Sequence, residues 1–200
     1  MRFVRRYLYR VCYWLVVVAM GLLHFPLFRG RENLPKGAAI LCPNHSGLAD
    51  PVWVVLAAKE PQVPWIMAKK SVMEKPIIGP FLAAWGAYGV DRDNPDIHAV
   101  KKSLTELKNG EKLIIFPEGT RVKKGKTVTP KSGAVMLAHR AGVPLVPVYI
   151  TPNRKPFQPV RVIMGEAYSP RLESRRPTAE ELEAETEILM KKIYALGEKP

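Results

Sequence analysis

His45 and Asp50 are the pair whose types and spacing could carry chemistry. They lie in the run Asn44-His45-Ser46-Gly47-Leu48-Ala49-Asp50-Pro51, directly after an apolar segment with the pattern of a strand. An imidazole held on one ring nitrogen by a carboxylate keeps a single tautomer. Its other nitrogen is then free to take a proton from an alcohol, as general-base acyl transfer requires. In one regular helix five residues turn through about 500°, which leaves the two side chains roughly 140° apart. They meet only if the chain folds back and the helix begins at Asp50. Pro51 supports that, because proline suits the first helical turn and Asp the position before it. The same residues allow a plainer outcome, with Asp50 an N-cap and His45 a hydrogen-bonded loop residue.

A second constellation is cationic. Phe116-Pro117-Glu118-Gly119-Thr120-Arg121 closes an apolar strand-like run, where backbone amides freed by a glycine turn and a guanidinium can together hold a phosphate. Arg92 follows the strand-like Ala87 to Val90, and Lys131 precedes a helix starting at Ser132. With Arg121 these two are expected to form a cationic cup near His45. The alternatives are a β-turn with a solvated Arg121 and a surface Asp91–Arg92 ion pair, which contributes little. Lys123-Lys124-Gly125-Lys126 reads as a solvated loop. The sequence contains no phosphate-binding glycine loop, dinucleotide fingerprint, zinc spacing or serine elbow, so no metal or cofactor is expected.

The elements that must position these residues alternate. Strands are expected at Ala38 to Cys42, Trp65 to Ala68, Ala87 to Val90, Leu113 to Phe116, Leu145 to Ile150 and Val160 to Met164. Helices are expected from Asn94 to about Asn109, stopped by Gly110, and from Ser132 to Ala141, closed by Gly142 and Pro144. Thr178 and Glu181 stand in capping-box spacing ahead of a last amphipathic helix, expected to cover the core without chemistry. This order predicts an α/β single domain with a mixed, largely parallel sheet flanked by helices. His45 then sits at the strand-to-helix edge where such sheets hold ligands.

Arg2, Arg5, Arg6 and Arg10 precede the apolar stretch Val11 to Leu23, which carries Tyr13 and Trp14. A spanning helix needs about 20 apolar residues, and Arg10, His24 and Pro26 bound this run too closely. No clean small-x-small cleavage site follows, so residues 1–30 are read as a retained membrane-anchoring helix on the cytoplasmic face, interfacial or half-inserted in preference to a true span, a cleaved signal or a core helix, ahead of a catalytic domain over 31–200. The whole chain carries 31 Lys and Arg against 18 Asp and Glu, a net charge of +13, which favours partners bearing phosphate. Trp53, Trp65 and Trp85 read as core or interface anchors rather than a base-stacking platform, and an anionic membrane surface is expected as a partner in preference to nucleic acid. Cys12 and Cys42 provide no disulfide framework, and Cys42 reads as a small buried hydrophobe.

Taken in order, these segments resemble the glycerolipid acyltransferase family, whose best-known members acylate 1-acyl-glycerol-3-phosphate to phosphatidic acid. His45 and Asp50 match its His-x4-Asp motif, Gly89 to Arg92 its second block, Phe116 to Arg121 its third, and Val143 to Tyr149 its proline-containing fourth. The similarity covers roughly Gly37 to Ile150. Gly47 stands where the family often has Ser or Thr, and Pro130 where an aromatic residue commonly precedes the lysine. The resemblance implies a site at the membrane-facing sheet edge, an acyl-CoA or acyl-carrier-protein donor and a lysophospholipid acceptor. It also implies that Glu118, Gly119 and Arg121, with Arg92, engage the acceptor phosphate; Thr120 belongs to the same block, and Lys131 is added from its position. The sequence does not identify the oxyanion donors; the turn amides around His45 to Gly47 are one candidate. The rival readings are the same chemistry on glycerol 3-phosphate or another lysophospholipid, a thioesterase using water, and a non-catalytic protein whose basic surface binds membranes.

Overall fold

The computed structural model describes residues 14, 16–58, 64–91, 96–123, 125–152, 155–172, 174 and 176–198. A helix over residues 16–23 (α1) leads into β1 (Phe25–Arg29), a short 3-10 turn (Arg31–Asn33), β2 (Ala39–Pro43), α2 (Asp50–Ala58) and β3 (Trp65–Lys69). Then follow α3 (Lys70–Met73), α4 (Ile78–Ala84), β4 (Ala87–Val90), α5 (Ile97–Lys108), β5 (Lys112–Ile114) and α6 (Gly133–Ala141). The order ends with β6 (Leu145–Ile150), β7 (Pro159–Met164) and α7 (Ala179–Glu198).

The seven strands form one sheet in the order β1-β7-β6-β2-β5-β3-β4. Strands β6, β2, β5, β3 and β4 run parallel, while β7 pairs antiparallel with β6 and carries β1 parallel to itself. The mixed, mostly parallel α/β sheet expected from the alternating pattern is therefore present. Because five strands point the same way, the loops after β2, β3, β4, β5 and β6 all emerge at one edge, where open α/β sheets bind ligands.

Both faces of the sheet are buried, so β2 at its centre is apolar on every residue instead of alternating with polar ones. In β2, Ala39 and Leu41 pack into one core with Trp53 and Val54 of α2, and Ile40 and Cys42 into the other with Leu137 of α6 and Leu189 and Ile193 of α7. Trp53 and Trp85 are in the first core, as their reading as core anchors requires. Cys42 is fully buried, and burial pushes its thiol above its ordinary value, so it stays protonated.

Several boundaries differ from the sequence reading. The expected anchor over residues 1–30 is divided: 25–29 form β1 and pair with β7, so they belong to the sheet. Of the rest, 14 and 16–23 are helical, and 1–13 and 15, including Cys12, lie outside the described residues. No helix among the described residues is long and apolar enough to cross a membrane. The cap of α5 is Asp96, whose carboxylate accepts the Ala99 amide at 2.9 Å and, through its other oxygen, the Asp91 amide at 3.0 Å. Asn94 and Pro95, the expected start, lie outside the described residues. Helix α7 opens on the expected capping box, with Thr178 N–H to Glu181 at 2.7 Å and Glu181 N–H to Thr178 at 3.2 Å.

Candidate active site

β2 ends at Pro43, and the chain turns at once. Asn44, 3 % exposed, is the pivot: its amide nitrogen donates to the Ile150 carbonyl at 3.0 Å and its carbonyl oxygen accepts the Ile150 amide at 2.7 Å. The loop that follows is thereby tied to the end of β6, its neighbour in the sheet. The chain then folds back over Ser46 to Ala49 and starts α2 at Asp50. Both conditions set by the His45–Asp50 spacing are met.

His45 Nδ1 lies 2.9 Å from Asp50 Oδ2. The same oxygen accepts the amides of Ser46 at 2.6 Å and Gly47 at 2.7 Å. Through this oxygen Asp50 faces backward into the loop. Its convergence of three donors requires Nδ1 to carry the proton, which leaves Nε2 as the basic nitrogen. The Asp50 side chain is fully buried and that of His45 is 13 % exposed, so the carboxylate is shielded while the imidazole is reachable. The ring rests on Phe116, with centroids 4.1 Å apart and planes tilted by 32°.

The Phe116-to-Val122 segment clamps the His45 main chain from both sides. Glu118 Oε2 accepts the His45 amide at 2.8 Å, and the Val122 amide donates to the His45 carbonyl at 2.8 Å. Within the segment, Gly119 N–H closes a turn onto Phe116 O at 3.0 Å. Gly119 has φ +67°, and a Cβ there would lie 3.2 Å from the Lys131 side chain, so both its backbone and its closeness to Lys131 call for glycine. Lys131 is held in turn by its amide, 2.7 Å from Pro117 O.

Phe116, on which the imidazole rests, also lines a cavity of about 580 Å³ whose walls combine it and Met67, Val90 and Ile115 with Lys69, Lys131, Glu118, Thr120 and Gly119. An apolar wall with two ammonium groups and turn hydroxyls suits an amphiphile that carries a phosphate. Lys69, at the end of β3, escaped the sequence reading; its place on a strand end at the same edge as His45 was the available signal. Of the expected cup, Lys131 lines this cavity and Arg121 is exposed on the loop that binds the His45 main chain. Arg92 lies outside the described residues.

Two expectations change. The amides of His45, Ser46 and Gly47 are all engaged by Glu118 and Asp50, so they are not open to an oxyanion. Glu118, expected on the phosphate, is buried with both carboxylate oxygens taken, one by His45 N–H and the other by the Tyr194 hydroxyl. A carboxylate also has no donor to offer a phosphate. Burial pushes the Glu118 carboxyl above its ordinary value, while the bonds from Tyr194 and His45 pull it back. Tyr194 lies on α7, so that helix is more than a cover for the core.

The fold and the sequence both resemble those of known proteins. A crystal structure of the 1-acyl-sn-glycerophosphate acyltransferase of Thermotoga maritima matches with a TM-score of 0.70 and 25 % identity, over 98 % of this chain and 81 % of that one. The 1-acyl-sn-glycerol-3-phosphate acyltransferase of Bacillus subtilis is 34 % identical over 199 residues, which is 96 % of this chain and 98 % of that protein. The yeast enzyme of the same name is 35 % identical over 127 residues, 61 % of this chain and 41 % of its own length. The acyltransferase family model matches residues 26–151, from β1 through the strand that Asn44 grips. With the His-Asp pair and its clamp inside that match, the chain belongs to the acyltransferase family.

Proposed function

We propose that this chain is a 1-acylglycerol-3-phosphate O-acyltransferase, moving a fatty acyl group from acyl-CoA or acyl-carrier protein to lysophosphatidic acid to form phosphatidic acid. The observation that carries the reading is the 2.9 Å His45–Asp50 contact, linked through Phe116 to a cavity that joins apolar walls to Lys69 and Lys131. The names of the Bacillus subtilis and Thermotoga maritima relatives support the same acceptor.

His45 Nε2 takes the proton of the acceptor hydroxyl as that oxygen attacks the thioester carbonyl. The C–S bond of the tetrahedral adduct then breaks, and the thiolate leaves with the proton returned from His45. Asp50 holds the tautomer and balances the imidazolium formed between the two steps. No acyl-enzyme is required. Lys131, Lys69 and Arg121, with the Gly119 and Thr120 turn, hold the phosphate, and Glu118 serves as frame. The acceptor and product are lipids, and exposed Leu22, Phe25 and Leu27 give the N-terminal region an apolar surface for a bilayer.

Thiol release from each donor, measured with lysophosphatidic acid, glycerol 3-phosphate and a phosphate-free lysolipid, tests the reading. Lysophosphatidic acid should be acylated fastest, and His45→Ala should lose roughly 10²–10⁴-fold in kcat while keeping its fold. Near-normal turnover in that variant would remove His45 from the mechanism. Preference for a phosphate-free acceptor would overturn the assigned substrate, and free fatty acid without acylated lipid would mark a hydrolase.

A further inference from the structure

The last turns of α7 are fitted to the site edge with little tolerance. A Cβ at Gly197 would fall 2.4 Å from the ring of Tyr149, so only glycine lets the helix close onto β6, and Arg161 of β7 reaches the Gly197 carbonyl at 3.4 Å. One turn earlier, Tyr194 leaves nearly half its surface in solvent yet places its hydroxyl on Glu118 Oε1. The second oxygen of that carboxylate receives the His45 amide at 2.8 Å. The chain of contacts is therefore phenol, carboxylate and then the peptide nitrogen of the residue that bears the imidazole. Tyr194 has no hydrogen bond or ring contact with His45 and does not line the cavity, so its bonded route to the chemistry passes through Glu118.

We propose that Tyr194 is a positioning residue for acyl transfer: through Glu118 it fixes the main chain of His45 and so the aim of the imidazole at the acceptor hydroxyl. Without the phenol, one Glu118 oxygen loses its partner and the carboxylate can rotate away from the His45 amide. The effect belongs to the transition state, since proton transfer depends on sub-ångström placement while acceptor binding depends on the cations and apolar wall. The proposal rests on the reading of His45 as the base, yet the tie itself is measurable without catalysis.

The experiment compares the full chain with Tyr194→Phe, a change at a half-exposed position that leaves the ring in place. Turnover should fall about tenfold with the KM for lysophosphatidic acid within about twofold. Hydrogen exchange in the peptide spanning Pro43 to Asp50 should quicken. In a Glu118→Ala background, Tyr194→Phe should cause no further loss, because the intermediary is gone. If Glu118→Ala does not fold, Glu118→Asp, too short to hold both donors, takes its place. Unchanged turnover, a loss confined to KM, unchanged exchange, or a loss that adds to that of the Glu118 variant would each overturn the proposal. Active His45→Ala would instead refute the base assignment, while exchange around His45 would still decide whether the tie exists.

Discussion

One oxygen of Asp50 does three things: it accepts the His45 ring and the amides of Ser46 and Gly47. An asparagine in its place keeps the size but loses the charge that balances an imidazolium, and its NH2 group competes for the tautomer. Asp50→Asn should therefore lower kcat by roughly 10²-fold or more, with the acceptor KM nearly unchanged, in steady-state assays of purified enzyme. A fall in KM affinity with kcat intact would assign Asp50 to binding. This pair was readable in the sequence because Pro51 marked the helix start and five residues of chain decide the rest. Glu118 and Tyr194 were not, since 76 residues separate them and no local pattern reports a contact of that range. The amides of His45 to Gly47 looked free only because the sequence does not show which acceptors face them.

At the level of elements, Asn44 is the joint between the catalytic loop and the sheet. Both ends of its amide are bonded to the backbone of Ile150, and none of these atoms reaches water easily. Asn44→Ala leaves a buried donor and a buried acceptor unpaired, at about 1–3 kcal/mol each. The expected result is a loss of about 2–6 kcal/mol in chemical denaturation together with slower turnover. An unchanged denaturation midpoint would show that the joint carries no load. Strands buried on both faces announced themselves as continuous apolar runs. β1 did not, because Phe25-Pro26-Leu27-Phe28-Arg29 continues the apolar N-terminal stretch and contains a proline, acceptable here on an edge strand. The short helices α3 and α4 escaped notice for a related reason: with four and seven residues, Pro76 between them and Pro80 inside the second, they show no helical period.

At the scale of the molecule, Leu22 is 74 % exposed, Phe25 61 % and Phe157 68 %, and the Phe157 amide donates to Leu23 O at 2.7 Å, which brings the two segments together. Burial of one such side chain contributes about 1.5–3 kcal/mol. Leu22→Asp combined with Phe25→Asp should reduce sedimentation with anionic lipid vesicles at least tenfold, and leave thiol release with a detergent-dispersed acceptor largely intact. Equal vesicle binding by the variant and the parent chain would move the membrane contact elsewhere.

The position of β5 has a further consequence. It pairs with both β2 and β3, although those two strands precede it in the chain and α2 alone stands between them. Until β5 is in place, the slot it fills leaves an unsatisfied edge on β2 and another on β3, each open to a neighbouring polypeptide. The strand that fills the slot also brings Glu118 and Val122, the grips on His45. A chain without this segment is left with both a divided sheet and an ungripped His45, two faults from one cause.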